Sequence, residues 1–553
     1  MAASTTRWGI CLLLFVPVTS ACSSKSASTP PPSAGPREDS APQTPLDSGT
    51  DASHATTPET DSPPPPVVEP DANAAAPAAE STGESTEPLV KERELFEGWG
   101  KPDVVLFVTG QQKGYIEPCG CAGLANQKGG LARRHTLVRQ LKAKGWPLVA
   151  LDVGNQVRRF GRQAELMFQI TVEGLKTIGY DAVGFGEQDL GLSVGEVAAA
   201  TMALDDQRTP FLCANAAVLD RSLTPRFQIL ESGGKKIGVT SILGTAEQAK
   251  VTSTEILLQP VVESLKEVVP QLKQANCDLY ILLAHASLDE SRQLAQQFPE
   301  FDIVVSSGGL GDPTYEPEAI EGSKAILVQV GVKGMFAGVI GVFSDSEKPL
   351  RYQRVPLDAT YPDSPEMLDL LKSYQGQLKI TGLDGLGVKP LAHASGNKFV
   401  GSQACADCHS KAFAVWKETP HAHATDTLVH PGERSRIERH FDPECLSCHV
   451  TGWNAQNFFP YQSGYANLEQ TPALVGNGCE NCHGPGSAHV AAEMGQVDSS
   501  EEMLKTLRLA MRLPLSKAED KCRECHDLDN DPDFHKEGAF DRYWPKVEHK
   551  GLD

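Results

Sequence analysis

The chain has 553 residues, 40% of them hydrophobic, with fourteen cysteines and a formal net charge of -21. That length exceeds one ordinary core and predicts two or more domains. The acidic balance excludes nucleic acid as a partner, which wants a basic face, and leaves either a plain solvated exterior or one that steers basic redox partners.

Residues 1–22 read as an export signal. Arg7 supplies the positive start, Ile10 to Val18 form an apolar run too short to span a bilayer, and Thr19-Ser20-Ala21-Cys22 follow. The pattern resembles a bacterial lipoprotein signal, which implies lipidation of Cys22 and a membrane anchor at the N-terminus. Cleavage after Ala21 by an ordinary signal peptidase is the alternative. Residues 23–99 are Ser, Thr, Pro, Ala and acidic side chains, with no aromatic residue between Phe15 and Phe96. Such a segment cannot offset the entropy of ordering and predicts a disordered leash, roughly 45 Å from end to end on average.

Near Asp103 the texture changes to short apolar runs: Val104–Val108, Leu148–Val153, Asp181–Phe185, Phe211–Ala214, Leu279–Ala284 and Ile303–Ser306. Helix-like segments Leu131–Ala143, Ala164–Ile178 and Val261–Gln274 lie between several of them. Ile237–Leu243, Ala325–Gly331 and Gly338–Phe343 read as further strands, and a last helix is expected around Ser364–Gln377. This alternation predicts an α/β domain over residues 100–385 with a largely buried sheet.

Five motifs follow in order: Gly129-Gly130-Leu131-Ala132-Arg133-Arg134, Tyr180-Asp181-Ala182-Val183, Cys213-Ala214-Asn215-Ala216, Lys236-Ile237-Gly238-Val239 and Val328-Gln329-Val330-Gly331. With them the domain resembles the metallophosphoesterase domain of the 5'-nucleotidase family, which implies a four-layer αββα sandwich. The resemblance also implies two metal ions held by Asp and His at strand ends, and here the chain departs from it. Those positions read Gln111-Gln112-Lys113, Asn155, Gly186-Glu187-Gln188-Asp189 and Gly308-Gly309-Leu310-Gly311, and only His285 matches. Amides and glycines supply neither charge nor coordination for such a site. A pseudo-enzyme is expected, with metal-dependent phosphohydrolysis as a distant alternative.

The first strand is followed by Glu117-Pro118-Cys119-Gly120-Cys121. Cys119 and Cys121 can close a small, strained and therefore oxidising disulfide, or take a soft metal. The plainer reading is a structural disulfide, with Cys213 or Cys277 as possible partners.

Residues 386–400 form a connector, and residues 401–553 carry the densest signal. Cys-x-x-Cys-His occurs at Cys405-Cys408-His409, Cys445-Cys448-His449, Cys479-Cys482-His483 and Cys522-Cys525-His526. Two thiols three residues apart can both add to the vinyl groups of one porphyrin, and the adjacent histidine then lies under the iron. Four c-type haems are expected, and the porphyrins themselves must supply much of this mainly helical, irregular domain's apolar interior. Trp416 with His421, Asp442-Pro443-Glu444-Cys445, Gly484-Pro485-Gly486-Ser487-Ala488-His489, and Tyr543-Trp544-Pro545-Lys546 with His549 make the segment resemble the tetrahaem cytochrome c-554 family. That resemblance implies His421, His489 and His549 as far-side axial ligands, with His423, His430, His440 and His535 as weaker candidates. His489 follows His483 by only six residues and is expected to serve a neighbouring haem.

The sequence thus predicts a membrane-tethered, extracytoplasmic electron-transfer cytochrome exchanging electrons with other redox proteins, its first domain a platform. The alternatives are a haem oxidoreductase acting on a small nitrogen or sulfur compound at a five-coordinate iron, a phosphohydrolase, and a Cys119/Cys121 dithiol site fed by the haems.

Overall fold

A computed structural model describes residues 95–550, apart from 119–126, 160, 203–208, 345–346 and 433–435. All of them belong to one compact unit, Pro88–Asp553. The export signal, Cys22, most of the expected leash, Cys119 and Cys121 lie outside the described residues.

The strand Val104–Thr109 is buried along its whole length. Its alternating side chains serve two cores. Val104, Leu106 and Val108 face one, while Val105 and Phe107 face the other. A strand covered on both faces has no reason to alternate with polar residues, so it reads as a continuous apolar run. It pairs in parallel with Leu148–Asp152 and antiparallel with Phe336–Val342. Leu350–Pro356 and Ala182–Val183 complete a five-stranded sheet at its two edges.

The second sheet has six strands, in the order Glu318–Ala319, Ile326–Gln329, Ile303–Ser306, Leu279–His285, Lys235–Leu243 and Phe227–Ser232. Ile281, Leu283 and Val305 from its inner face pack with Leu106, Val149 and Ile340 of the first sheet. Helices Leu131–Ala143, Arg162–Ile178 and Pro365–Gly385 cover the outer face of the first sheet. Val261–Gln274 and Leu288–Gln297 cover the second. The result is a four-layer αββα sandwich.

Gly174 sits where the outer helices converge. A Cβ there would stand 2.9 Å from Leu131 Cδ1 and 3.3 Å from Met367 Sδ, so the close approach requires glycine. The long helix starts at Ser364, whose side chain accepts from the Met367 amide, with Pro365 in the first turn. It runs beyond the expected Gln377 to Gly385, with a break at Gly382, where φ is 61°.

The two sheets packed face to face are those the expected αββα sandwich requires, and one expectation changes: Phe211–Ala214 is not a strand. Within that stretch the Leu212 amide donates to Val183 in the first sheet, and the Ala214 amide donates to Ser241 in the second. A segment crossing from one sheet to the other cannot pair along its length with either.

Residues 386–550 form short helices around a small cluster of Phe399, Leu428, Leu446, Val450, Trp453, Tyr465 and Leu474. Glu480, inside the third Cys-x-x-Cys-His, is almost fully buried and accepts from the amides of Val400, Gly401 and Gly486. It thereby ties the connector to the third motif. No described helix is long and apolar enough to cross a membrane.

Leu106→Ala is expected to destabilise the protein by about 2–5 kcal/mol through the cavity left between the sheets. Leu310→Ala, on a fully exposed side chain, is expected to change stability by less than about 0.5 kcal/mol. Chemical denaturation followed by far-ultraviolet circular dichroism checks both.

Candidate functional site

Each Cys-x-x-Cys-His is wound into a helical turn that carries the histidine back beside the first cysteine. The His409 amide donates to the Cys405 carbonyl at 2.9 Å, and His526 does the same to Cys522 at 2.9 Å. The second motif lies in the helix Pro443–His449, capped by the Asp442 side chain with Pro443 in its first turn. The third occupies the short helix Cys479–His483.

The imidazoles are oriented by their Nδ1 atoms. His449 donates to the Ala424 carbonyl, His483 to the Met511 carbonyl and His526 to Asp531 Oδ2, each at 2.8 Å. Fixing Nδ1–H in this way selects the tautomer whose Nε2 lone pair is free to bind a metal.

Three of the four then face a second histidine. His409 and His489 have ring centroids 6.3 Å apart, His483 and His549 5.7 Å, and His526 and His421 6.1 Å. With metal–imidazole bonds of about 2 Å each and half a ring added at either end, these separations fit one iron between each pair. His549 is also held by Nδ1, which donates to the Val547 carbonyl at 2.9 Å. Burial, then the neighbouring His526 and His449, pulls His421 down to about 4, so it is a neutral ring at neutral pH. His489 thus stands opposite the first motif and not its own.

No histidine among the described residues faces His449 in this way. Of the remaining histidines, His535 donates through Nε2 to the His526 carbonyl. His440 lies against Phe441 and has His430 nearby. His423 is exposed beside Asp426. The motifs also meet in pairs. The thiols of Cys405 and Cys479 lie close together, as do those of Cys448 and Cys525.

Beside His449 lies a cavity of about 770 Å³, within the range of about 300–1,000 Å³ usual for cofactor sites. Cys445, Cys448 and His449 line one side, while Lys113, Tyr115, Arg158, Arg159, Met167 and Tyr374 of the first part line the other. Ionic contacts close the seam between them. Glu444 Oε2 lies 2.5 Å from Arg158, and its Oε1 lies 2.6 Å from Arg159. Asp529 takes Arg158 and, at 2.6 Å, Lys333, and Glu117 pairs with Arg439. Gln163 and Gln375 donate to Asp442 at 2.7 and 3.1 Å. Burial and the adjacent Glu444 push the Asp442 carboxyl up.

The positions expected to hold metal in the first part satisfy one another directly. Glu187 Oε2 lies 2.8 Å from His285 Nε2 and accepts from Asn155 Nδ2 at 3.1 Å, with Lys250 at 3.9 Å from the other oxygen. His285 Nδ1 donates to the Val153 carbonyl. Gln111 donates to the Ser307 carbonyl, and Gln112 to the Tyr115 carbonyl. Asp189 accepts from the amides of Gly186, Asn155 and Gln156. Arg134 is buried against Asp152, Gln112 and Tyr180.

Cys213 is a buried free thiol and Cys277 a half-buried one. Pro118 and Gln127, the described neighbours of that loop, both line the cavity. Arg158, Arg159, Lys333 and Asp529 were not legible as site residues, because isolated charges outside any motif look like ordinary solvated surface.

The family model for cytochrome c554 and c-prime matches residues 404–484. Cytochrome c-554 of Nitrosomonas europaea is 27% identical over 168 residues, covering 28% of this chain and 68% of that one. An apyrase of Aedes albopictus is 22% identical over 279 residues, covering 45% of this chain and 49% of that one. The chain therefore spans about half the length of this hydrolase relative. Among solved structures, a 5'-nucleotidase precursor from Thermus thermophilus aligns with a TM-score of 0.43 at 17% identity, covering 59% of this chain and 66% of that one. A segment similar to 5'-nucleotidases is thus fused to one similar to cytochrome c-554, and the latter has the features of a multihaem c-type cytochrome.

Burial pushes Glu187 up, but the hydrogen bond and charge of His285 outweigh it and hold the carboxyl at about 2, against an ordinary 4.5. A depressed carboxyl stabilises the fold above its unfolded value, and that contribution is lost as pH falls through the folded one. Glu187→Gln is therefore expected to lower stability by up to about 3 kcal/mol at pH 7. The difference from wild type should shrink between pH 4.5 and 2 in chemical denaturation.

Proposed function

We propose that the chain is an extracytoplasmic cytochrome that passes electrons between redox proteins through four covalently bound c-type haems. The observation that carries this reading is the set of three histidine pairs about 6 Å apart, each including the histidine of a Cys-x-x-Cys-His. In this reading Cys405, Cys408, Cys445, Cys448, Cys479, Cys482, Cys522 and Cys525 carry the porphyrins. His409, His449, His483 and His526 are the near axial ligands, and His489, His549 and His421 are the far ligands of the first, third and fourth haems.

A bound haem supplies one-electron redox chemistry, and the surrounding chain orients its axial imidazoles and excludes water. Two histidines on an iron leave no position for a substrate, which suits relay. The contacts Cys405–Cys479 and Cys448–Cys525 support neighbouring haems arranged first with third and second with fourth. The phosphoesterase-like part acts as a platform, because its former ligand positions are engaged with one another. Lipidation at Cys22 and the leash of residues 23–99 tether the assembly to a membrane.

A second reading is favoured by one observation, that no described histidine faces His449. An iron held there by one imidazole has a free position, where a small nitrogen or sulfur compound can be oxidised or reduced.

Haem content measured as the pyridine complex is expected to be four per chain, and carbon monoxide is expected to shift about a quarter of the reduced spectrum. His421→Ala should raise that fraction to about a half. No carbon monoxide response in wild type would remove the second reading and leave a pure relay. Nucleotide hydrolysis by the full-length protein with manganese would overturn the loss of phosphoesterase chemistry.

A further inference from the structure

The cavity beside His449 is built by both parts of the chain, and its charge is uneven. Four cations line it, Lys113, Arg158, Arg159 and Arg439, against three carboxylates, Glu117, Asp442 and Glu444. Asp442 is pushed toward its neutral form. Arg158 and Arg159 share Glu444, Arg158 is also taken by Asp529, and Arg439 is taken by Glu117. Lys113 remains, with no ion-pair partner among the described residues. Asp529 and Glu187 act on its ammonium only at longer range, and burial disfavours its charge. The surplus is local in a protein whose net charge is -21.

The backbone places Lys113 at some cost. Its φ is 53°, in the left-handed region that favours glycine or asparagine, so the fold holds this side chain in position against a conformational preference. An unpaired, partly desolvated ammonium facing a cofactor-sized cavity is stabilised by an incoming anion, which both satisfies its hydrogen bonds and offsets its burial.

We propose that Lys113, backed by Arg158 and Arg159, makes this cavity selective for small anions as the outside ligand of the haem carried on Cys445 and Cys448. The phosphoesterase-like part then supplies the selecting wall of a site whose iron ligand, His449, comes from the cytochrome part. The inference rests on the reading that this haem has one open face, and it commits to anions where that reading leaves the ligand's charge open.

The test uses the full-length, haem-loaded protein, with azide titrated into the oxidised form and carbon monoxide into the reduced form. Lys113→Asn accepts the positive φ and removes the charge, Lys113→Gln is a second neutral variant, and Lys113→Arg keeps the charge. Both neutral variants are expected to weaken azide about tenfold while leaving carbon monoxide within about twofold, and Lys113→Arg should hold azide within about threefold of wild type. Raising ionic strength should weaken azide and leave carbon monoxide unchanged, a readout that needs no variant. Azide failing to bind where carbon monoxide does overturns the proposal alone. So does equal azide affinity in wild type and both neutral variants, the result expected if Lys113 instead pairs with a haem carboxylate. Failure of carbon monoxide to bind at all removes the open face, and with it the reading on which the proposal rests.

Discussion

Glu444 is held between two guanidiniums, and the rest of the junction depends on that contact. Arg158 and Arg159 follow a strand end of the first part, while Glu444 immediately precedes the first cysteine of the second motif. All three side chains are half-buried, so salt screens this pairing less than it would one on the open surface. Asp529 and Lys333 extend the network from the neighbourhood of the fourth motif. The second motif is therefore set in position by side chains that belong to the sandwich, and one wall of its cavity comes from outside the cytochrome-like segment.

The loops at the strand ends of the first part are held by contacts among their own side chains and backbone. Gln111 and Lys113 have φ values of 48° and 53°, a backbone shape that side chains of these types rarely adopt, while Asn155 at 61° is of a type that accepts it. Glu187 lies against His285, with Lys250 farther off. Arg134 and Asp152 form a second closed pair beneath it. Each charge is answered by protein, and the loops at the strand ends stay in register.

How much of this was legible in the sequence depended on whether a feature was local. Val104–Thr109 and Leu279–His285 read as strands because both faces are buried, and Leu131–Ala143 and Val261–Gln274 were readable to their ends from periodicity. Phe211–Ala214 misled, since its apolar character comes from crossing between two cores and not from pairing in one. The near histidines were legible because their cysteines are adjacent in the chain. His421, His489 and His549 were reached through resemblance, for nothing in spacing tells that His421 stands opposite His526. Lys113 was visible only as a missing ligand, and Arg158 and Arg159 gave no signal at all. Their significance arises where two distant stretches meet, and composition carries no trace of that.

The poverty of the cytochrome core has a consequence for how the molecule comes into being. Its principal cluster of buried apolar side chains has seven members, whereas the sandwich has three larger clusters. The sandwich comes first in the chain and has the interior to fold unaided, as domains commonly do in order of synthesis. The last third has little to collapse around until porphyrin is attached. Arg158 and Arg159, which precede Glu444 in the chain, are then already in place to receive it.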